Sequence, residues 1–249
     1  YASMFQLSVT LRENIDPEML KTALDETAQR VPSFRCRLRH GLFWHYFDVM
    51  EGAPEIEEDV RNPLIKTNWN SGKHFLFRVR YYERRISLEV FHALSDGTGA
   101  MVFLLSLVAE YLRLHNGYEP ETSDWILPTS EAPKKTEYED AFFKFARTTS
   151  SLTVGHGAAY HIHGTAEEND YIDIITGRIP VAPLKSEAAK YGCTITAYLA
   201  AVTIYALQQI QNKDHPKRKR PIVVTIPVNL RRWYPSETLR NFFACIDVG

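Results

Sequence analysis

The 249-residue chain is expected to fold as an α/β protein, an α+β sandwich in which helices pack on mixed sheets. Two observations predict this. Apolar residues alternate with period two in some stretches and recur every three to four residues in others, and the two kinds are interleaved along the chain. Several strand-like stretches are also separated by only a few residues, which requires antiparallel neighbours.

The elements follow in order. In "FQLSVTL", Phe5, Leu7, Val9 and Leu11 share one face, as in a half-buried strand. Asp16 before Pro17 is an N-cap followed by proline at the first helical position, and Leu20, Ala23, Leu24, Thr27, Ala28 and Val31 carry a helical stripe as far as Pro32. "FRCRL" and "LFWHYFDV" read as strands joined by a turn at His40 and Gly41. Arg35, Arg37 and Arg39 form a solvated outer face, while Phe43, Trp44, Tyr46 and Phe47 read as core or as the lining of an apolar channel. Residues 51–73 are loop or weak strand. "HFLFRVRYY" and "RISLEVFH" form a hairpin turning at Glu83 and Arg84.

From Thr98 the period becomes helical, with Met101, Leu104, Leu105, Val108, Tyr111 and Leu112 on a stripe that ends near Gly117. A proline-bearing loop over 118–135 leads to a short helix at 136–148. "AAYHIHGT" and "DYIDIITGRIP" are predicted as strands, Lys185 to Tyr191 as a short helix, and a helix capped by Thr194 follows. "PIVVTIPVNLRR" is a strand whose continuous apolar run predicts burial on both faces, and "RNFFACIDV" is another.

Composition excludes several function classes. The chain is 45% hydrophobic and 24% charged with a net charge of −1, so no global field recruits nucleic acid or an anionic membrane. No run of about 18 apolar residues predicts a membrane span. Three cysteines without metal-ligand spacing suggest a reduced, cytoplasmic setting. His161 and His163 share a predicted strand face near Glu167 and Glu168, but no third ligand has suitable spacing, so no metal is expected. "KRKR" at 217–220 reads as a solvated loop. The chain opens on Tyr1 and stops within "FFACIDVG", a strand-like run, so a longer protein with a further C-terminal part is expected.

The residues that point to chemistry sit at one junction, "LEVFHALSDGTGAMVFLL", residues 88–105. Ile86, Leu88, Val90 and His92 share a strand face, so His92 extends an apolar row to its open end. Neutral imidazole is the side chain best matched to moving a proton near neutral pH. A strand end fixes the ring, and the following turn gives it access. Asp96 suits an N-cap or a cation ligand. Gly97 and Gly99 remove side chains beside the histidine. Ser95 and Thr98 read as helix caps, since neither has an activating base. The bland alternative is a histidine satisfied by turn carbonyls next to a capping aspartate.

"HALSDG" resembles the second half of the HHxxxDG signature of the chloramphenicol acetyltransferase-like superfamily, which includes alcohol acetyltransferases, polyketide-associated and plant acyltransferases, and condensation domains of nonribosomal peptide synthetases. "RVPSFRCRLRHGLFW" and the motif's place between a hairpin and an apolar helix resemble that family's first lobe. "TITAYLAAVTIYAL", "RPIVVTIPVNLRRWYP" and "TLRNFF" resemble the start of its second. The likeness is nearest to the alcohol acetyltransferase and condensation-domain branch. Phe91 stands where the signature has its first histidine.

The resemblance implies two lobes, residues 1–165 carrying the HxxxDG motif and 166–249 beginning a truncated second one. It implies an acyltransferase that moves an acyl group, most simply acetyl, from a CoA-type thioester to an alcohol or amine. Acyl-CoA or a phosphopantetheine thioester would be the co-substrate, with no permanently bound cofactor. His92 would be the general base. Asp96 would be structural, turned from substrate and paired with an arginine of the second lobe, Arg231 or alternatively Arg232. Gly97 would give space beside the base. Asn241 is an amide that either faces the tunnel and orients an intermediate or is a hydrogen-bonder at a strand edge. Two other outcomes are a binding or scaffold module that has lost catalysis, and an inactive partial lobe that self-associates through an uncovered tunnel face.

Overall fold

A computed structural model describes residues 4–61, 63–64, 71–119, 121, 123–146, 158–165, 171–214 and 219–249. Two compact units emerge, and they are not consecutive in sequence: Asn229–Phe243 belongs to the first unit together with the chain up to Ala146, whereas Asp173–Val228 and Ala244–Gly249 belong to the second. This differs from a sequential division at 165/166, because Asn229–Phe243 belongs to the first unit.

The first unit is built on a four-stranded sheet in the order β1-β6-β5-β4, where β1 is Met4–Thr10, β4 Ile56–Glu58, β5 Phe77–Tyr82 and β6 Arg85–Phe91. β1 and β5 run antiparallel to β6, and β4 is parallel to β5. The β5–β6 hairpin turns where Glu83 takes a φ of +48°. Phe5, Leu7 and Val9 lie opposite Val90, Leu88 and Ile86. This apolar face and helices α1 (Pro17–Arg30) and α2 (Gly97–Asn116) share one core, to which Leu20, Leu24, Phe103, Leu104 and Leu107 contribute. Asp16 caps α1 by accepting from the backbone N–H of Glu18 and Met19 at 2.9 and 3.1 Å. By length and composition α2 suffices to cross a bilayer, contrary to the expectation from its sequence, but 61% of its most apolar window is buried in the protein, as in a core helix.

The other sheet face is ionic. Glu89 is fully buried and accepts from Arg78 Nη2 at 2.6 Å, Arg80 Nη1 at 3.5 Å and the Leu64 N–H at 2.8 Å. A separate hairpin, β2 (Cys36–His40) and β3 (His45–Val49), carries Arg37 and Arg39 bonded to Asp48. Its aromatic tip is not core: Phe43 is 90% exposed. The helix expected at 136–148 is two short ones, α3 (Lys135–Tyr138) and α4 (Ala141–Phe145), the second capped by Asp140.

The second unit contains α5 (Val181–Lys190), α6 (Ile195–Asp214) and most of the two-stranded sheet of β7 (Val224–Asn229) with β8 (Phe243–Val248), whose residues Asn229 and Phe243 belong to the first. Gln211 joins the end of α6 to the next segment by exchanging two hydrogen bonds with the main chain of Arg220. Residues 158–165 and 171–180, expected as strands, are irregular and largely exposed. Their apolar alternation finds no ladder, and a strand without a neighbour has nothing to satisfy its N–H and C=O groups except water. β7 alternates half-buried and exposed positions, so the expected burial on both faces is not realised.

Candidate active site

The site grows from the end of β6. Phe91 is the last ladder residue, opposite Met4, and its carbonyl closes a turn by accepting from the Leu94 N–H at 2.8 Å. Its side chain is half-buried against the core, so a phenylalanine here extends the apolar packing at the end of the strand. His92 follows, half-buried, with its ring 5.0 Å from that of Phe5 and 5.6 Å from that of Phe243. No described residue hydrogen-bonds a ring nitrogen of His92. The imidazole thus lies between two apolar rings.

Asp96 is 5% exposed. Oδ1 accepts from the N–H of Thr98 and Gly99 at 3.1 and 3.0 Å, capping α2. Oδ2 accepts from Arg231 Nη1 at 2.8 Å and the Phe242 N–H at 2.9 Å, and Arg231 Nη2 reaches Oδ1 at 3.3 Å. With both oxygens occupied by protein donors, the carboxylate has no lone pair aligned for a reactant. Arg231 then bonds the carbonyls of Thr238 and Arg240, so one guanidinium holds Asp96 and the 238–242 segment together. Arg232 takes no part in this arrangement.

That segment is a strap across the turn, and most of its fastenings were not foreseen. Ser95 is buried and donates to the Leu239 carbonyl at 2.6 Å rather than capping α2. Thr98 Oγ1 accepts from Asn229 Nδ2 at 3.1 Å. Gly99 serves packing, not substrate access: a Cβ there would lie 2.1 Å from the Leu239 carbonyl oxygen. Gly97 is the open position, with nothing within 4 Å of such a Cβ. The Leu239 N–H bonds the Glu137 carbonyl at 2.7 Å, and the Glu137 carboxylate forms a two-pronged pair with Arg30 at 2.6 and 2.8 Å. No periodicity marks a strap in the sequence. Its only trace was "TLRNFF".

Asn241 brings the strap to the histidine. Nδ2 donates to the carbonyls of His92 at 2.8 Å and Ala93 at 3.2 Å, and the buried Oδ1 has no partner among the described residues. His161 and His163 are exposed and irregular rather than on a strand, and Glu167 and Glu168 lie outside the described residues. Among the described residues no three His, Cys, Asp or Glu side chains are grouped for a metal. A cavity of about 390 Å³ lies beside the C-terminal half of α2, lined by Glu110, Arg113 and Thr129 among others, and includes neither His92 nor Asp96.

No protein-family model and no curated protein matches the chain. Solved structures do. Polyketide synthase associated protein 5 from Mycobacterium tuberculosis aligns with 98% of this chain at 17% identity and a TM-score of 0.62. SgcC5 from Streptomyces globisporus, solved with (R)-(-)-1-(2-naphthyl)-1,2-ethanediol and sucrose, aligns with 98% at 17% identity and a TM-score of 0.55. In both cases the chain spans 61% of the other protein's length. The starter condensation domain of the rhizomide synthetase RzmA matches 49% of this chain and 35% of its own at 13% identity, with a TM-score of 0.39. What these two matches establish is the fold, the mixed α/β, chloramphenicol acetyltransferase-like one.

Proposed function

We propose that the chain is the His-bearing part of an acyltransferase that moves an acyl group, most simply acetyl, from a CoA-type or phosphopantetheine thioester to an alcohol or amine. The observation that carries this reading is the division of labour at the turn: Asp96 is wholly engaged by protein donors, while His92, four residues earlier, has no ring-nitrogen partner among the described residues. His92 takes the acceptor's proton as its oxygen or nitrogen attacks the thioester carbonyl. The new C–O or C–N bond forms, the C–S bond breaks, and the imidazolium returns the proton to the leaving thiolate. General-base assistance of this kind is worth about 10²–10⁴ in rate. The flanking rings of Phe5 and Phe243 limit where the imidazole can lie. Gly97 supplies the open space next to the base.

The test is His92→Ala in the full protein, assayed with acetyl-CoA and a panel of alcohols and amines. Turnover should fall about 10²–10⁴-fold with the fold intact. Wild-type rates in the variant would overturn the assignment. A second reading, a binding module without turnover, is favoured by Phe91, whose ring packs against the core at the end of β6 where the signature has a histidine. Stoichiometric thioester binding without transfer by the wild-type protein would select it.

A further inference from the structure

We infer that Asn241 is a positioning residue for His92, its carboxamide clamping the main chain that carries the imidazole. The inference rests on the acyl-transfer reading for its consequence, not for its geometry. His92 lies one residue past Phe91, the end of β6 and the partner of Met4 in the ladder, and among the described residues no strand pairs with it. Both N–H groups of the Asn241 amide are spent there, one on the His92 carbonyl at 2.8 Å and one on the Ala93 carbonyl at 3.2 Å. The two ring contacts limit where the imidazole can lie but are not directional. The clamp supplies the direction, because it fixes the peptide plane from which the side chain departs.

Asn241 is itself held from both sides. The carbonyl before it, on Arg240, accepts from Arg231 Nη2 at 2.7 Å, and the Phe242 N–H after it bonds Asp96 Oδ2 at 2.9 Å. The Phe242 carbonyl accepts from the Leu230 N–H at 3.1 Å. A side chain so anchored transmits the rigidity of the Asp96–Arg231 pair to the base. The same geometry argues against an oxyanion role. A developing negative oxygen needs donors, and both donors of this amide already serve carbonyls, while its remaining valence is the acceptor Oδ1. A buried acceptor without a partner is uncommon enough to call for a functional explanation. Here the amide's orientation is dictated by its donor side.

The experiment compares wild type, Asn241→Leu, which matches the shape without donors, and Asn241→Asp, which sets oxygens against the two carbonyls. In the wild-type protein, labelled with ¹³C and ¹⁵N, hydrogen-bond couplings should link the Asn241 side-chain amide to the His92 and Ala93 carbonyl carbons. In Asn241→Leu, kcat should fall about 10- to 100-fold, the scale expected for a misplaced catalytic group, with KM for the thioester within about twofold. The His92 imidazole nitrogen signals should shift and broaden while those of His40 and His115 stay in place. Absent couplings in wild type overturn the inference. So does a folded Asn241→Leu or Asn241→Asp variant in which kcat and the His92 signals are unmoved, or in which KM rises as kcat falls with those signals unchanged. The NMR measurements need no turnover, so an inactive wild type or an active His92→Ala would remove the acyl-transfer reading while leaving the clamp to stand or fall on its own data.

Discussion

Two small residues show how tightly the turn is dimensioned. A methyl group at Gly99 meets the Leu239 carbonyl oxygen at 2.1 Å and Ser95 Oγ at 2.4 Å, whereas one at Gly97 meets nothing within 4 Å. Main chain cannot rotate aside as a flexible side chain can, so Gly99→Ala should destabilise by about 1–3 kcal/mol. Gly97→Ala should stay within about 0.5 kcal/mol of wild type. Urea unfolding of the two variants side by side checks the contrast. The cysteines differ as sharply. Burial pushes the Cys36 thiol up to about 12, leaving roughly one part in 10⁴ as thiolate at pH 8. Cys245 is exposed. A thiol reagent at pH 8 should therefore modify Cys245 in the native protein and reach Cys36 only after unfolding, as mass spectrometry of the labelled peptides will show.

At the scale of elements, α2 is fastened at its start by one carboxylate with several duties. Asp96→Ala removes the cap and strands the Arg231 guanidinium, whose side chain is only 12% exposed. Breaking a buried pair from one side costs about 3–5 kcal/mol. Asp96→Asn, which keeps an acceptor for the helix N–H groups, should cost less. Denaturant midpoints of both variants give the order. α1 and α3 are joined by the Arg30–Glu137 pair, whose side chains are 0% and 6% exposed. Burial alone would raise the Glu137 carboxyl, but the Arg30 guanidinium and the Lys134 N–H hold it below the ordinary 4.5. A carboxyl depressed in the folded state contributes stability that is present above 4.5 and lost as pH falls through its lower folded value. The stability gap between wild type and Glu137→Gln should therefore be widest above pH 4.5 and close in stronger acid, which urea titrations at stepped pH will measure. The buried ionic face of the main sheet is a further element that periodicity described incompletely. Arg78 and Glu89 sit on the polar side of their strands, yet Glu89 is fully buried, bonded to Arg78, Arg80 and the Leu64 N–H.

Over the whole molecule, what was legible in the sequence was whatever depends on neighbours along the chain. β1, α1, the β5–β6 hairpin and α2 follow from alternation, a 3.6-residue stripe and the caps at Asp16 and Gly117. The junction at His92 and Asp96 was legible for the same reason, being a change of period. Residues 158–165 and 171–180 were misread because alternation states what a strand would bury, not whether a partner strand is there to pair with it. The double burial expected of β7 failed likewise, since an apolar run does not say which faces will be covered. The strap was mostly hidden because its bonds come from residues with no pattern of their own: Ser95, Thr238, Leu239 and Asn241. Long-range polar contacts leave almost no periodic trace.

The strap also sets a timetable. Asn241 and His92 are 149 residues apart, and Arg231 and Asp96 are 135 apart. At the usual pace of translation, roughly 5–20 residues per second, the histidine leaves the ribosome about 7–30 s before its clamp exists. Over that interval the β5–β6 hairpin and α2 can pair and pack, but the turn between them stays unbraced. A nascent chain that has not yet reached Asn241 carries the imidazole without its brace, so the scaffold can form first and the turn at His92 is fastened afterwards.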